Sequence, residues 1–147
     1  MINRKGFTLI ELLVVIAIIG LLLTLAVIAL HSARTKTRDA IRLTDLREIQ
    51  SRLELYFTDK NSYPATTESV VLGRGNAVCL NAEGLKPTGC ANPYMSQIPA
   101  DPGAYLYEYS SEDGLTYTIM ATLEGAMNGL TAGKIRITPS DVTNSKQ

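Results

Sequence analysis

An uninterrupted apolar run near the N-terminus limits what this chain can fold into. From Phe7 to Leu30 it reads FTLIELLVVIAIIGLLLTLAVIAL, and Glu11 is its only ionisable side chain. As a helix these 24 residues would extend about 36 Å, enough to cross a bilayer core with some tilt. A buried helix of a soluble protein is the alternative, but the remaining chain is too small to wrap a helix that is apolar all round. A secretory signal peptide is another, with Arg4 and Lys5 as its positive flank and Val27-Ile28-Ala29 as a weak cleavage site. Against it, the run is longer than a usual signal core and contains Glu11, and no cysteine follows directly for lipid attachment.

The rest of the composition excludes more than it suggests. A chain of 147 residues holds one domain and an appendage. Lys+Arg and Asp+Glu both number 14, so net charge argues for neither nucleic acid nor an acidic substrate. One histidine and two cysteines leave no set for a His/Cys zinc site. A nucleophile–histidine site would have to use His31, at the end of the apolar run.

Glu11 is the anomaly inside the run. A carboxylate in lipid costs several kcal/mol unless it is paired or near the interface. It either snorkels to the headgroups or needs a positive partner from another chain. Charge also leaves the orientation open: Arg4 and Lys5 precede the span, while Arg34, Lys36, Arg38 and Arg42 follow it. A plain count of flanking cations would put the C-terminal part in the cytoplasm.

The segment Lys5-Gly6-Phe7-Thr8-Leu9-Ile10-Glu11-Leu12-Leu13-Val14 resembles the N-terminal signal of type IV prepilins and of the pseudopilins of type II secretion. The likeness covers residues 1 to about 30 closely, and beyond them only the layout. It implies cleavage after Gly6 by a prepilin peptidase, which then methylates the amine of Phe7. It implies that Glu11 pairs with the Phe7 amine of a neighbouring subunit. In a stack of staggered helices such a pair sets the axial register, because an unpaired charge in low dielectric is costly. The anchor then becomes the filament core, helix contacts replacing lipid. The resemblance also orients the chain, leader in the cytoplasm and head outside, and implies an α+β, type IV pilin-like lollipop: a long N-terminal helix packed on a small antiparallel sheet.

From Ser32 to Thr58 no Pro or Gly interrupts the chain, so the helix is expected to run from Phe7 to about Thr58. Leu43, Leu46, Gln50, Leu53 and Phe57, with Ile49 and Tyr56 beside them, form an amphipathic stripe. Glu48 and Arg52 form an i,i+4 pair. The organisation expected is therefore 1–6 leader, 7–30 apolar half-helix, 31–58 amphipathic half-helix and 59–147 head. The basic cluster Arg34, Lys36, Arg38 and Arg42 reads as a solvated face with Asp39, Asp45 and Glu48 as partners, in preference to a DNA or lipid site.

Residues 59–103 read as irregular, rich in Pro and Gly. In an exported head Cys79 and Cys90 pair and tie this segment down, closing a 12-residue loop. Residues 104–123 read as a hairpin. A two-residue Asp113-Gly114 loop would set Glu108 opposite Ile119. A three-residue loop pairs Tyr109 with Tyr117 and Tyr107 with Ile119 and is preferred, with Gly114 left-handed. Lys134–Thr138 makes a third strand, and the polar tail after Pro139 is expected to fray. Major pseudopilins hold calcium, but the spacing of Asp101, Glu112, Asp113 and Asp141 supports no metal assignment here.

Function is expected to be structural. The resemblance implies a filament subunit that is not an enzyme and has no cofactor. Its partners would be its own copies, minor subunits, the peptidase, an inner-membrane assembly platform with its ATPase, and lipid before assembly. No nucleic acid is assigned. It would reside in the inner membrane, then in a periplasmic or extracellular filament. The lack of proline in the stem and the Asp101-Pro102 turn lean towards a pseudopilin, the disulfide towards a pilin, and the choice stays open. The competing class is a membrane-anchored or secreted binding domain that never polymerises.

Overall fold

A computed structural model describes residues 6–145. Of the expected leader, residues 1–6, all but Gly6 lie outside the described residues. The first element is one long helix, α1 (Leu9–Lys60), of 52 residues. The chain divides into two compact units, Met1–Thr35 and Lys36–Gln147, so α1 contributes to both. In the first unit the large apolar residues from Phe7 to Leu30 are all exposed, Leu9 at 82% and even Val15 at 44%. Among the described residues α1 is the one helix long and apolar enough to cross a membrane.

In the second unit α1 changes character. Leu43, Leu46, Ile49, Leu53 and Tyr56 are buried, and Phe57 packs against them. The stripe is the one expected from the three-or-four spacing. Gln50 stands within it because its amide donates to the Thr138 carbonyl at 2.9 Å.

Seven short strands follow: β1 (Val70–Val71), β2 (Cys79–Asn81), β3 (Gly84–Lys86), β4 (Glu108–Ser110), β5 (Thr118–Leu123), β6 (Gly133–Ile137) and β7 (Val142–Asn144). An antiparallel sheet has the order β1-β4-β5-β6-β7, and β2 and β3 pair as a separate hairpin. The fold is thus α+β, as expected. Tyr107, Tyr109, Ile119, Ala121, Leu123, Ile135 and Ile137 are buried and form the core with the α1 stripe.

Three expectations need correction. The β4–β5 register pairs Tyr109 with Ile119 and Glu108 with Met120, which neither proposed loop gives. The connection spans 111–117, because side chains stabilise a longer turn. Ser111 donates to the Thr116 carbonyl at 2.6 Å, and Asp113 accepts the Leu115 amide at 2.9 Å. The shift from the preferred register is two residues, so every side chain keeps its face. Gly114 is left-handed as expected, at φ 70°.

Second, the tail does not fray after Pro139. A turn closed by the Thr138 amide on the Asp141 carbonyl, at 2.9 Å, returns the chain as β7 along β6. Asn144 then donates to the Thr131 hydroxyl at 2.8 Å. Third, the segment 59–103 is not wholly irregular. β1 joins the main sheet, while Leu80 and Met95 exchange backbone hydrogen bonds and bury their side chains.

The Cys79–Cys90 disulfide is present, with Cα atoms 6.3 Å apart. Closing a loop of this length stabilises a fold by about 3 kcal/mol in the chain-entropy model. Cys79→Ser should therefore lower the unfolding free energy of the head by about that amount in urea titration. Thiol labelling of the native protein should fail without reductant.

Candidate functional site

At the start of α1, Thr8 precedes the first helical residue and Glu11 lies in the first turn. The Glu11 carboxylate accepts the Thr8 amide at 2.8 Å and the Thr8 hydroxyl at 2.7 Å, and the Glu11 amide donates to the same hydroxyl at 3.3 Å. This is a capping box, each residue satisfying the other's orphan amide. A negative side chain here also complements the helix dipole. Thr8-x-x-Glu11 is the sequence signature of such a box, but the sequence reading considered Glu11 only as a snorkelling or intermolecular group. Both bonds go to Oε2, so among the described residues Oε1 accepts none. Gly6 and Phe7 precede the helix, and Phe7 is 79% exposed.

A second cluster lies inside the head. Arg42 was expected on a solvated face, yet it is fully buried. Its guanidinium donates to both oxygens of Asp101, at 2.6 and 3.0 Å, and to Asp39 and Glu124, at 2.7 Å each. Arg38 is bidentate on Glu124. Asp39 also accepts the amides of Glu124 at 3.0 Å and Gly125 at 2.7 Å, and Asp101 accepts the Gly103 amide at 2.7 Å. The Tyr105 ring lies 5.2 Å from the guanidinium carbon, within cation–π range.

The basic run is thus not a uniform solvated face. Asp39 is a partner as expected, but Asp45 instead accepts the Tyr107 hydroxyl at 3.2 Å, and Glu48 stands 3.9 Å from Arg52. Two of the three acids that hold Arg42, Asp101 and Glu124, lie 59 and 82 residues away in sequence, with no local pattern to announce them. Nor are the four acids weighed for calcium brought together. Asp101 belongs to this cluster, Glu112 and Asp113 to the β4–β5 turn, and Asp141 to the β6–β7 turn. Among the described residues no group of three or more His, Cys, Asp or Glu is arranged to hold a metal.

The hydrogen bonds decide the titration. Burial opposes the Arg42 charge, but its bonds to Asp101, Glu124 and Asp39 outweigh that and raise its pKa. Burial likewise pushes Asp101 up, while Arg42 and the Gly103 amide hold it below the ordinary carboxylate range. Arg38 and then Arg42 bring Glu124 down to about 2. Lowered folded values give stability that is complete above the unfolded value and lost as pH falls towards the folded one. The head should therefore weaken between about pH 4.5 and pH 2, measured as the fall in melting temperature against pH. Arg42→Ala leaves Asp39 and Asp101 buried without their cation and should cost about 3–5 kcal/mol in denaturant titration. Gly103→Ala should also destabilise, because a Cβ there would stand 2.9 Å from the Arg42 guanidinium.

The prokaryotic N-terminal methylation motif matches residues 1–27, and type II secretion system protein G matches residues 29–137. The type II secretion system core protein G of Pseudomonas aeruginosa is 31% identical over 114 residues, 73% of each chain. That of Escherichia coli is 29% identical over 147 residues, 97% of this chain and 91% of its own. The type IV wide pilus major component of Thermus thermophilus is 37% identical over 103 residues, 70% of each chain. No solved structure matches the chain significantly. With an N-terminal methylation motif and a long helix followed by an antiparallel sheet, the chain belongs to the type II secretion system protein G family of pseudopilins.

Proposed function

We propose that this chain is a structural subunit of a bacterial filament, a type II secretion pseudopilus or a related type IV pilus. It acts by assembling with other subunits and not by catalysis. Its precursor is anchored in the inner membrane through residues 7–30, with 31–58 and the head of 59–147 outside. A prepilin peptidase removes residues 1–6 after Gly6 and methylates the Phe7 amine. An assembly platform and its ATPase then draw the helix from lipid into a periplasmic or extracellular polymer, with minor subunits beside it.

The observation that carries this reading is the exposed apolar segment from Phe7 to Leu30, whose large side chains nothing among the described residues covers. Such a surface needs lipid or other helices. Glu11 supports the polymer over a simple anchor. Its Oε2 caps its own helix, and its Oε1 has lone pairs to offer the Phe7 amine of a neighbour. In low dielectric that attraction would be strong and would fix axial register. The match to protein G favours the secretion pseudopilus, and the Thermus relative favours a pilus. Deleting the gene distinguishes them, by loss of secreted proteins or by loss of surface pili.

Intact mass after co-expression with a prepilin peptidase tests the precursor. Loss of Met1 to Gly6 and gain of one methyl group is expected. An uncut chain, in cells that process a control prepilin, would make it a non-polymerising anchored domain. A cut near Ala29 would make it a secreted one. Gly6→Ala should be processed far better than Gly6→Leu, because the peptidase must accommodate a small side chain.

Glu11→Gln separates the two roles of this residue. Glutamine preserves the capping box but not the charge. Membrane insertion should persist in Glu11→Gln and in Glu11→Ala, and filaments should fail in both. Normal filaments from Glu11→Gln would refute the pairing.

A further inference from the structure

The head carries a knob and a hole that it does not join to each other. The knob is Leu115, in the β4–β5 turn, 69% exposed and the most exposed large apolar residue of the head. It is held out by a built turn. Asp113 accepts the Leu115 amide at 2.9 Å, and the Gly114 carbonyl accepts the Tyr63 amide at 2.7 Å. The exposed acids Glu112 and Asp113 flank it.

The hole is a cavity of about 110 Å³ between α1, the loop at Leu130 and β7, lined by Leu43, Leu46, Gln50, Leu130 and Val142. Arg47 and Asn128 are exposed at its rim. Among the described residues Arg47 makes no ion pair. The cavity far exceeds the roughly 10–15 Å³ that admits one water, so a four-carbon side chain is a reasonable occupant. Arg47 is placed to meet the acids that accompany Leu115.

Both features belong to one compact unit, Lys36–Gln147. The turn is tied to Tyr63, beyond the end of α1 at Lys60, whereas the hole opens around Leu46. Leu115 is not among the residues that line the hole. The head thus leaves its own hole unfilled by Leu115, and the acids beside Leu115 match the charge of Arg47 at the hole's rim, which suits the same turn of a second copy. Such a contact joins two different surfaces, the kind that can run on from copy to copy along a filament.

We propose that Leu115 of one copy inserts between Leu43, Leu46, Leu130 and Val142 of the next, with Glu112 facing Arg47. This deepens the filament reading and rests on it. The contact is much smaller than a stable interface, so it acts where α1 packing already holds heads side by side.

The test uses the full-length chain in cells that assemble it. Leu115→Cys combined with Asn128→Cys, oxidised in sheared filaments, should give a ladder of covalent multimers that reductant collapses. Either cysteine alone, or Thr67→Cys with Asn128→Cys, should give none. Normal filaments of the double variant without a ladder would overturn the contact and leave the filament reading intact. Separately, Arg47→Glu and Glu112→Arg should each reduce filament yield, by about tenfold, the scale of losing one buried or charged contact. The two together should restore it. Failure of that rescue overturns the contact too, and covers the case in which the cysteine variant does not assemble. Absence of filaments from the unaltered chain would overturn both readings.

Discussion

A guanidinium sealed from water obliges the surrounding chain to supply its counter-charges, and the head is organised around that demand. Arg42 lies on the buried side of α1, so carboxylates must be brought to it. Asp101 comes from the segment before β4, Glu124 from the residue that follows β5, and Asp39 from one turn earlier on α1. Asp39 in turn binds the Glu124 and Gly125 amides, so it locates backbone as well as charge. The five groups, Arg38 and Arg42 against Asp39, Asp101 and Glu124, carry a net charge of two minus three, or −1. Arg38 and Glu124 balance each other, so the excess lies with the buried Arg42, Asp39 and Asp101, where the Gly103, Glu124 and Gly125 amides also donate to the two aspartates. Apolar residues of equal volume would stabilise such a site about as well. The directional bonds add selection of one docking for a Pro- and Gly-rich segment that has few strands of its own.

That same economy explains what could be read from the residues. The length of α1 and its buried stripe followed from spacing and from the absence of breakers, both local properties. Which face of β4 and β5 points inward also followed, because parity survives a two-residue shift. The register did not, because it depends on the hydroxyl of Ser111 and the carboxylate of Asp113, whose bonds lie within the turn. β7 was hidden for a related reason. It is a half-exposed edge strand of Val142, Thr143 and Asn144, without the apolar alternation of a buried one. Arg42 was misread because its environment is made by residues distant in sequence. The Thr8–Glu11 box was fully legible and was missed because Glu11 already had an intermolecular explanation.

The apolar half of α1 carries little that would prevent a change of surroundings. The Thr24 hydroxyl donates to the Leu21 carbonyl at 2.7 Å, so it needs no partner outside its own helix. A Cβ added at Gly20 would meet nothing within 4 Å, which leaves that face open to close approach by another helix. Glu11 is the one ionisable group in the run, and its cap is internal. In the proposed cycle, transfer from lipid to filament therefore exchanges one apolar environment for another at little cost, while the Glu11 charge supplies a preference for the assembled register.

The flanking charges are consistent with the proposed orientation once their place in the chain is considered. Counting cations predicts topology for short loops, up to about 60 residues, and long translocated domains largely escape it. Here the C-terminal flank is the unit Lys36–Gln147, well beyond that length. Two of its cations, Arg38 and Arg42, serve the folding of the head through Glu124, Asp39 and Asp101. Their position just after the span follows from where α1 enters the head and carries no information about the membrane. In the proposed orientation Arg4 and Lys5 lie on the cytoplasmic side, as the positive-inside rule favours.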